Sequence, residues 1–273
     1  MADLDLQTSL TAGARVEASG PGCWRLEIPA GPAGRYRLAQ VDDYHLRRRQ
    51  DFHWSAPIRL SLKARASGRE IPGTWGFGLW NDPFSMALLG GGGLRRLPCL
   101  PNTAWFFYAA PPNYLSLRDD LPAQGFLAAT FRGPDWPAWK LALGAPALTL
   151  AWIRPVARAL RRSLRKIVQQ EAALLTIDPT EWHTYQIEWQ EEVVEFQVDG
   201  VSTLRSATPP NGRLGLVLWV DNQYAATTPE GRLRYGTLEN KEPAWLEVAE
   251  LDITMEATQK RPRAVLDNPP TSV

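Results

Sequence analysis

The feature that most limits the fold of this sequence is a series of short apolar or alternating runs, each bounded by Gly, Pro, Asn or Asp. Runs of this length between turn residues are typical of antiparallel β-strands. The chain has ten such runs and no repeated unit, which favours two packed sheets over a propeller or a solenoid. The predicted strands are 23–28, 35–41, 57–66, 74–80, 103–110, 126–131, 184–190, 193–200, 213–220 and 245–253.

The runs differ in how their apolar residues are spaced. IRLSLKARA at 58–66 alternates apolar with polar residues, which predicts a strand with one wet face. TAWFFYAA at 103–110 and LGLVLWV at 214–220 are apolar on both faces, so we expect central strands that are covered on both sides. One of those covers could be a ligand.

One segment, 155–175, breaks the strand pattern with apolar residues at helical spacing and with Pro155 in the first turn. The apolar stripe contains Val156, Leu160, Leu164, Ile167, Leu174 and Leu175, and the opposite side carries Arg158, Arg161, Arg162, Arg165 and Lys166. Three interpretations are open for this helix. It packs on the sandwich, it meets an anionic lipid surface or acidic partner with help from Trp152, or it covers a cleft as a lid.

Composition limits the function classes. The 30 Lys and Arg residues nearly balance the 29 Asp and Glu residues, so no global field would attract nucleic acid. The cysteines and histidines lack ligand spacing, so no resident cofactor is expected. We expect one domain over 1–256, a glycine loop at 90–93 and a loosely ordered tail over 257–273. The amino terminus lacks a secretory pattern, which predicts a cytoplasmic location.

Three segments carry a resemblance to a known family. PIRLSLKARASGREIPGTWGFGLWND at 57–82 is similar to a strand, loop and strand of the laminarinase and lichenase type of glycoside hydrolase, family 16, with matches at Gly73, Thr74, Trp75 and Trp80. WHTYQIEWQEEVVEFQVDGV (182–201) and WLEVAELDI (245–253) resemble later segments of the same family, in the same order. The resemblance implies a concanavalin A-like jelly-roll sandwich of two antiparallel sheets, here with one inserted helix.

The chemistry of that family is missing from the sequence. The family's active strand resembles E-I-D-I-x-E, and retaining hydrolysis needs two carboxyl groups about 5 Å apart. The corresponding strand here is 102–110, which contains no Asp or Glu, and the chain has no E-x-D-x-x-E elsewhere. The resemblance also implies a structural calcium to which Asp252 could contribute. We therefore expect the cleft without its hydrolytic pair.

The expected cleft would be lined by aromatic side chains and by polar residues at the strand ends. The candidate ligand-binding residues are Trp80, Asn81, Trp105, Tyr108, Trp219, Asn222 and Tyr224. Asp82 and Asp221 are candidate proton donors, because an isolated acid in an aromatic-walled pocket has a raised pKa.

Three functions fit these observations. The first is a non-hydrolytic protein that holds a glycan or an apolar small molecule in an aromatic cleft. The second is an enzyme that reuses the cleft for acid-assisted cyclisation or isomerisation of an apolar, terpenoid-like substrate. The third is a glycoside hydrolase with relocated carboxylates. The expected partners are the ligand and a membrane surface at helix 155–175, but not nucleic acid.

Overall fold

The structure of the protein is a computed structural model. It describes residues 5–11, 13–83, 94, 96–142 and 150–255. The predicted loop at 90–93 and the predicted tail at 257–273 lie outside these residues. The predicted fold class is confirmed, since the described strands form two seven-stranded antiparallel sheets that pack as a jelly-roll sandwich.

All strand pairings in the sheets are antiparallel. In spatial order the first sheet contains β1 (Gln7–Thr11), β4 (Leu38–Asp42), β13 (Gly215–Asp221), β6 (Thr74–Trp80), β7 (Asn102–Ala109), β8 (Gly125–Arg132) and β9 (Gln169–Leu174). The second sheet contains β12 (Val201–Ser206), β11 (Val194–Val198), β10 (His183–Trp189), β5 (Ile58–Ala66), β16 (Ala244–Met255), β3 (Cys23–Ile28) and β2 (Arg15–Gly20).

Three shorter elements complete the described fold. A separate hairpin pairs β14 (Gln223–Thr227) with β15 (Leu233–Thr237). The helices are α1 (Ala138–Ala142) and α2 (Arg154–Ile167), and one turn of 3-10 helix spans Arg49–Asp51. None of the helices in the described residues is long and apolar enough to cross a membrane.

The core lies between the two sheets. Side chains alternate along a strand, so every second residue of β5 is buried while its neighbours reach the surface. Leu60 and Tyr185 from the second sheet meet Phe77 and Phe106 from the first in one buried cluster. Burying a side chain of this size contributes about 1.5–3 kcal/mol, so this cluster is the main source of stability.

The other side of the first sheet, which we call the outer face, is also apolar. Leu38, Phe107, Val217 and Trp219 lie there in a second buried cluster. The central strands β7 and β13 are therefore covered on both sides, as their uninterrupted apolar sequences predict.

Helix α2 forms part of the cover on the outer face. Leu164 and Ile167 are half-buried against the second cluster, which agrees with the interpretation of a helix packed on the sandwich. The predicted helical range of 155–175 was wrong beyond Ile167, because the following residues form the edge strand β9. This edge strand satisfies the backbone groups of β8, and Leu175 turns into the core between the sheets.

Candidate functional site

A cavity of about 350 Å³ opens on the outer face of the first sheet. Four neighbouring strands, β4, β13, β6 and β7, supply its floor, while residues 113–115 and the β14–β15 hairpin supply its walls. The lining residues are Gln40, Thr74, Trp80, Trp105, Phe107, Asn113, Leu115, Val217, Trp219, Asp221, Gln223, Tyr224, Ala225 and Tyr235. The cavity is thus mostly aromatic and aliphatic, and we call it the aromatic cavity.

Two glycines of β6 make room for the floor of the aromatic cavity. A Cβ atom at Gly76 would lie 2.8 Å from Cη2 of Trp219, and one at Gly78 would lie 2.6 Å from Cβ of Trp105. Both distances are too short for a side chain, so glycine lets these two tryptophans lie over the strand. Their ring centroids are 5.5 Å apart, which is within the range of a favourable aromatic contact.

The two indole N–H groups of these tryptophans differ in their partners. Nε1 of Trp219 donates to Oγ1 of Thr74 at 2.9 Å. Nε1 of Trp105 is buried and has no hydrogen-bond partner among the residues the structure describes. A buried donor without an acceptor costs free energy, on the order of 1–3 kcal/mol, and a ligand oxygen could supply the missing acceptor.

Asp221 lies at the polar end of the aromatic cavity. Its Oδ1 atom accepts hydrogen bonds from N and Oγ1 of Thr74, at 3.2 and 2.9 Å, and from N of Gln223 at 3.1 Å. Its Oδ2 atom accepts a longer one, 3.4 Å, from the hydroxyl of Tyr36. Burial raises the pKa of Asp221 to about 7, although the hydrogen bonds from Thr74, Gln223 and Tyr36 partly oppose this increase.

Asp221 is the one carboxylate among the described lining residues. On the neighbouring strand β4, the carboxylate on this face is that of Asp42. In the β4–β13 pair Asp42 lies opposite Val217, whereas Asp221 lies opposite Leu38. Four residues of strand separate the two acids, or about 13 Å. Glycoside hydrolysis needs carboxyl groups about 5 Å apart for retention or roughly 6.5–9.5 Å for inversion, so this pair does not fit either geometry.

Strand β7, at the centre of the outer face, also lacks a pair of carboxyl groups. Its outward side chains include Trp105 and Phe107, and the strand contains no Asp or Glu. The position that resembles the catalytic strand of the hydrolases is therefore apolar here.

Two predicted site residues lie elsewhere. Asp82 is fully buried in an ion pair with Arg96, with Oδ2 to Nη1 at 2.9 Å, outside the aromatic cavity. The expectation that Asp82 is an isolated acid in an aromatic-walled pocket was therefore wrong. Asn81 is also outside this cavity, since its amide donates to O of Leu100 at 2.8 Å and accepts from N of Asn102 at 3.0 Å. Asn81 and Asp82, the two residues that follow β6, therefore hold residues of the loop before β7 in place.

Tyr108 and Asn222 also differ from the prediction. Tyr108 points into the core, where its ring stacks on Trp75 at 5.8 Å, because alternation sends Trp105 outward and Tyr108 inward. Asn222 is fully buried and binds the backbone of Arg37 and Leu238 with its amide, so it fixes a loop and does not reach the cavity rim. The remaining predicted residues, Trp80, Trp105, Trp219, Tyr224 and Asp221, line one cavity together.

Several lining residues were not predicted from the sequence. Leu115 comes from the loop at 113–115, Tyr235 comes from strand β15 of the hairpin, and Gln40 comes from β4. Asn113 ties the wall together, because its amide donates to O of Ala110 at 2.8 Å and accepts from N of Ala225 at 2.9 Å. Only a strand register could have indicated Gln40, which faces Trp219 across the β4–β13 pair.

No group of three or more His, Cys, Asp or Glu residues in the described structure could hold an ion. The calcium site at Asp252 and the cytoplasmic location stay predictions.

Comparisons with known proteins give likeness of structure alone. Neither family models nor curated proteins match the sequence. A glycoside hydrolase family 16 endo-glucanase from Bacteroides ovatus has a TM-score of 0.49 and 10% identity, over 93% of this chain and 96% of that chain. A laminarinase from Thermotoga petrophila has a TM-score of 0.47 and 12% identity, over 93% and 92%. A legume lectin-like domain from Entamoeba histolytica has a TM-score of 0.45 and 8% identity, over 93% and 90%.

These structures are similar to this chain in fold only. A fold of this kind holds unrelated functions, so the function has to be argued from the aromatic cavity itself.

Proposed function

We propose that the protein binds an apolar small molecule in the aromatic cavity and does not hydrolyse glycans. The observation that carries this proposal is a mostly apolar lining in which the side chains of Gln40, Asn113 and Asp221 already bind other protein groups. Cavities of about 300–1,000 Å³ with a few oriented polar groups are typical of small-molecule sites, and this one has about 350 Å³.

The lining favours an apolar ligand over a glycan. The amide of Gln40 donates to Asp42, the amide of Asn113 holds Ala110 and Ala225, and Asp221 accepts from Thr74. A sugar would bring several hydroxyl groups into this space and find these three side chains already occupied. Each hydroxyl left without a hydrogen bond costs about 1–3 kcal/mol, which outweighs the gain from stacking on one ring, about 0.5–1.5 kcal/mol.

The indole N–H of Trp105 defines one further property of the ligand. Because the indole N–H of Trp105 is buried without a partner among the described residues, a ligand with one carbonyl or hydroxyl oxygen in line with this N–H, at the edge of the ring, would satisfy it. The rest of the ligand would lie against Phe107, Val217 and Leu115. A terpenoid-like ketone or alcohol has this distribution of polar and apolar atoms.

A second function, acid-assisted catalysis, is favoured by one observation. With a pKa of about 7, Asp221 would be partly protonated at neutral pH beside an apolar cavity. Its proton could pass to an alkene or carbonyl of the substrate, and the resulting carboxylate could take a proton back from a neighbouring carbon. That sequence isomerises or cyclises the substrate and regenerates the acid.

Titration calorimetry with pseudoionone, an acyclic terpenoid ketone that acid converts to ionones, tests both functions. We expect saturable binding to the wild type and about a tenfold weaker affinity for Trp105→Phe, which keeps the ring but loses the N–H. Trp182→Phe, at an exposed tryptophan outside the lining, is the matched control and should bind normally.

Three outcomes separate the candidate functions. Binding of laminaritriose in place of pseudoionone would contradict the proposed ligand class. Release of reducing ends from laminarin, abolished by one Asp or Glu substitution, would support the third function, a hydrolase. Formation of ionone by the wild type but not by Asp221→Asn would establish the second function.

A further inference from the structure

A second cavity, which shares no lining residue with the aromatic one, is built from arginines. Arg158 lies three and four residues before Arg161 and Arg162, and Arg165 lies four and three residues after them, so all four share one side of α2. Together with Leu117, Asp119 and Pro229 they line a cavity of about 310 Å³, which we call the arginine pocket.

The base of the arginine pocket is fixed in place. Arg161 is only 4% exposed, its Nη1 donates to O of Ser116 at 2.6 Å, and its Nη2 is paired with Asp119. Its guanidinium also lies 5.3 Å from the centre of the Tyr114 ring. A guanidinium held by three such contacts loses little freedom when it binds a ligand.

The charges of the arginine pocket do not balance. Four guanidinium groups line it with one carboxylate, Asp119, which already contacts both Arg161 and Arg165, the latter at 3.2 Å. Arg158 and Arg162 are exposed and form no ion pair within the described residues. Like charges at these spacings repel one another, so the empty pocket is destabilised by the charges that an anion would neutralise.

Other acids near the arginine pocket do not remove this excess. Asp120 is paired with Arg118, outside the lining. Glu230 is exposed next to Pro229, and a hydrogen bond with Thr228 and, more weakly, nearby arginine charges lower its pKa.

We propose that the arginine pocket binds a multiply charged phosphate group, such as that of a diphosphate. Guanidinium forks match phosphate oxygens in two-pronged, charge-assisted hydrogen bonds, and the excess of three positive charges in the lining suits a polyanion better than a single carboxylate. The cavity volume accepts the group together with part of an attached molecule. The site stands apart from the aromatic cavity and does not depend on the function proposed for it.

Titration calorimetry of the full chain with inorganic pyrophosphate tests this proposal. We expect saturable binding that weakens as sodium chloride is raised. The double variant Arg158→Gln/Arg162→Gln removes two exposed charges and should bind at least about tenfold more weakly, while its melting temperature without pyrophosphate stays near that of the wild type. Lys166→Gln removes an exposed charge of the same helix outside the lining and should bind normally.

Vesicles distinguish the two sources of phosphate. If the group belongs to a lipid, phosphatidylcholine vesicles with added phosphatidic acid, a phosphomonoester, should bind the protein, pyrophosphate should compete, and the double variant should lose binding. If the group belongs to a free molecule, pyrophosphate should bind without any vesicle binding. Vesicle binding without pyrophosphate binding, or equal pyrophosphate affinities for the double variant and Lys166→Gln, would overturn the arginine pocket as a phosphate site.

Discussion

Replacing Asp221 by Asn should change how the stability of this protein depends on pH. The carboxyl group is buried at the polar end of the aromatic cavity, and burial raises its pKa from an ordinary 3.8 to about 7. An asparagine can keep the same contacts, because its oxygen accepts from Thr74 and Gln223 while its amide donates to the Tyr36 hydroxyl. The substitution therefore removes the titration and little else.

The sign and size of the effect follow from linkage. A folded-state pKa above the unfolded value means that the folded state holds the proton more tightly, so the stabilisation is complete below about pH 3.8 and disappears as the pH rises through about 7. The pKa difference corresponds to about 4 kcal/mol, at roughly 1.4 kcal/mol for each pH unit. Relative to the wild type, Asp221→Asn should thus gain up to about 4 kcal/mol between pH 4 and pH 8.

Urea unfolding at several pH values between 4 and 8 measures this difference directly. Asp43 is also buried and also has a pKa of about 7, so it makes the stability of both the wild type and Asp221→Asn depend on pH. The difference between the unfolding free energies of the two proteins therefore reports Asp221 alone. Glu192→Gln removes an exposed carboxyl group and serves as the control. Parallel curves for the wild type and Asp221→Asn would refute the reasoning, since they would show that Asp221 is ionised in the folded protein without penalty.

Three further substitutions test the helix on the outer face, a buried ion pair and the floor of the aromatic cavity. Leu164→Asp places a charge against the outer face and should lower the free energy of unfolding, measured in urea, by about 2 kcal/mol. Ser163→Asp, at an exposed position of the same helix, should lower it much less. Equal losses would contradict docking of the helix through Leu164. Arg96→Met removes the guanidinium partner of the buried Asp82 and should cost about 3–5 kcal/mol at neutral pH, recovered in part at low pH. A pH-independent loss would argue against the ion pair. Gly76→Ala should lower both the melting temperature and the pseudoionone affinity, because the new methyl group would lie 2.4 Å from O of Phe106 and 2.8 Å from Cη2 of Trp219 and so would disturb the floor of the cavity. Unchanged affinity would show that this part of the floor does not contact the ligand.

The strands could be predicted from the sequence because alternation and turn residues are local signals. The runs at 23–28 and 74–80 coincide with β3 and β6. β1, β2 and β9 could not be found in this way, since they are edge strands whose side chains are largely exposed or polar. Their pairing depends on the neighbouring strand and not on their own residues.

The site was only partly predictable. The aromatic residues of β6, β7 and β13 indicated an apolar face, but Tyr108 was placed on it although it lies three residues from Trp105 and must face the other way. Asp82 has the same residue type as Asp221, and the sequence could not show that Arg96 neutralises it. Leu115 and Tyr235 reach the cavity from distant segments, so only the tertiary structure brings them to the site.

The most direct test of the proposed function is to fill the aromatic cavity from its wall. Ala225 lines the cavity from the β14–β15 hairpin, so Ala225→Trp should occupy the space with little effect on the core between the sheets. The proposal predicts that pseudoionone binds the wild type with 1:1 stoichiometry and that Ala225→Trp loses this binding while its unfolding free energy changes little. Unchanged binding by a folded Ala225→Trp protein would contradict the proposal that this cavity holds the ligand.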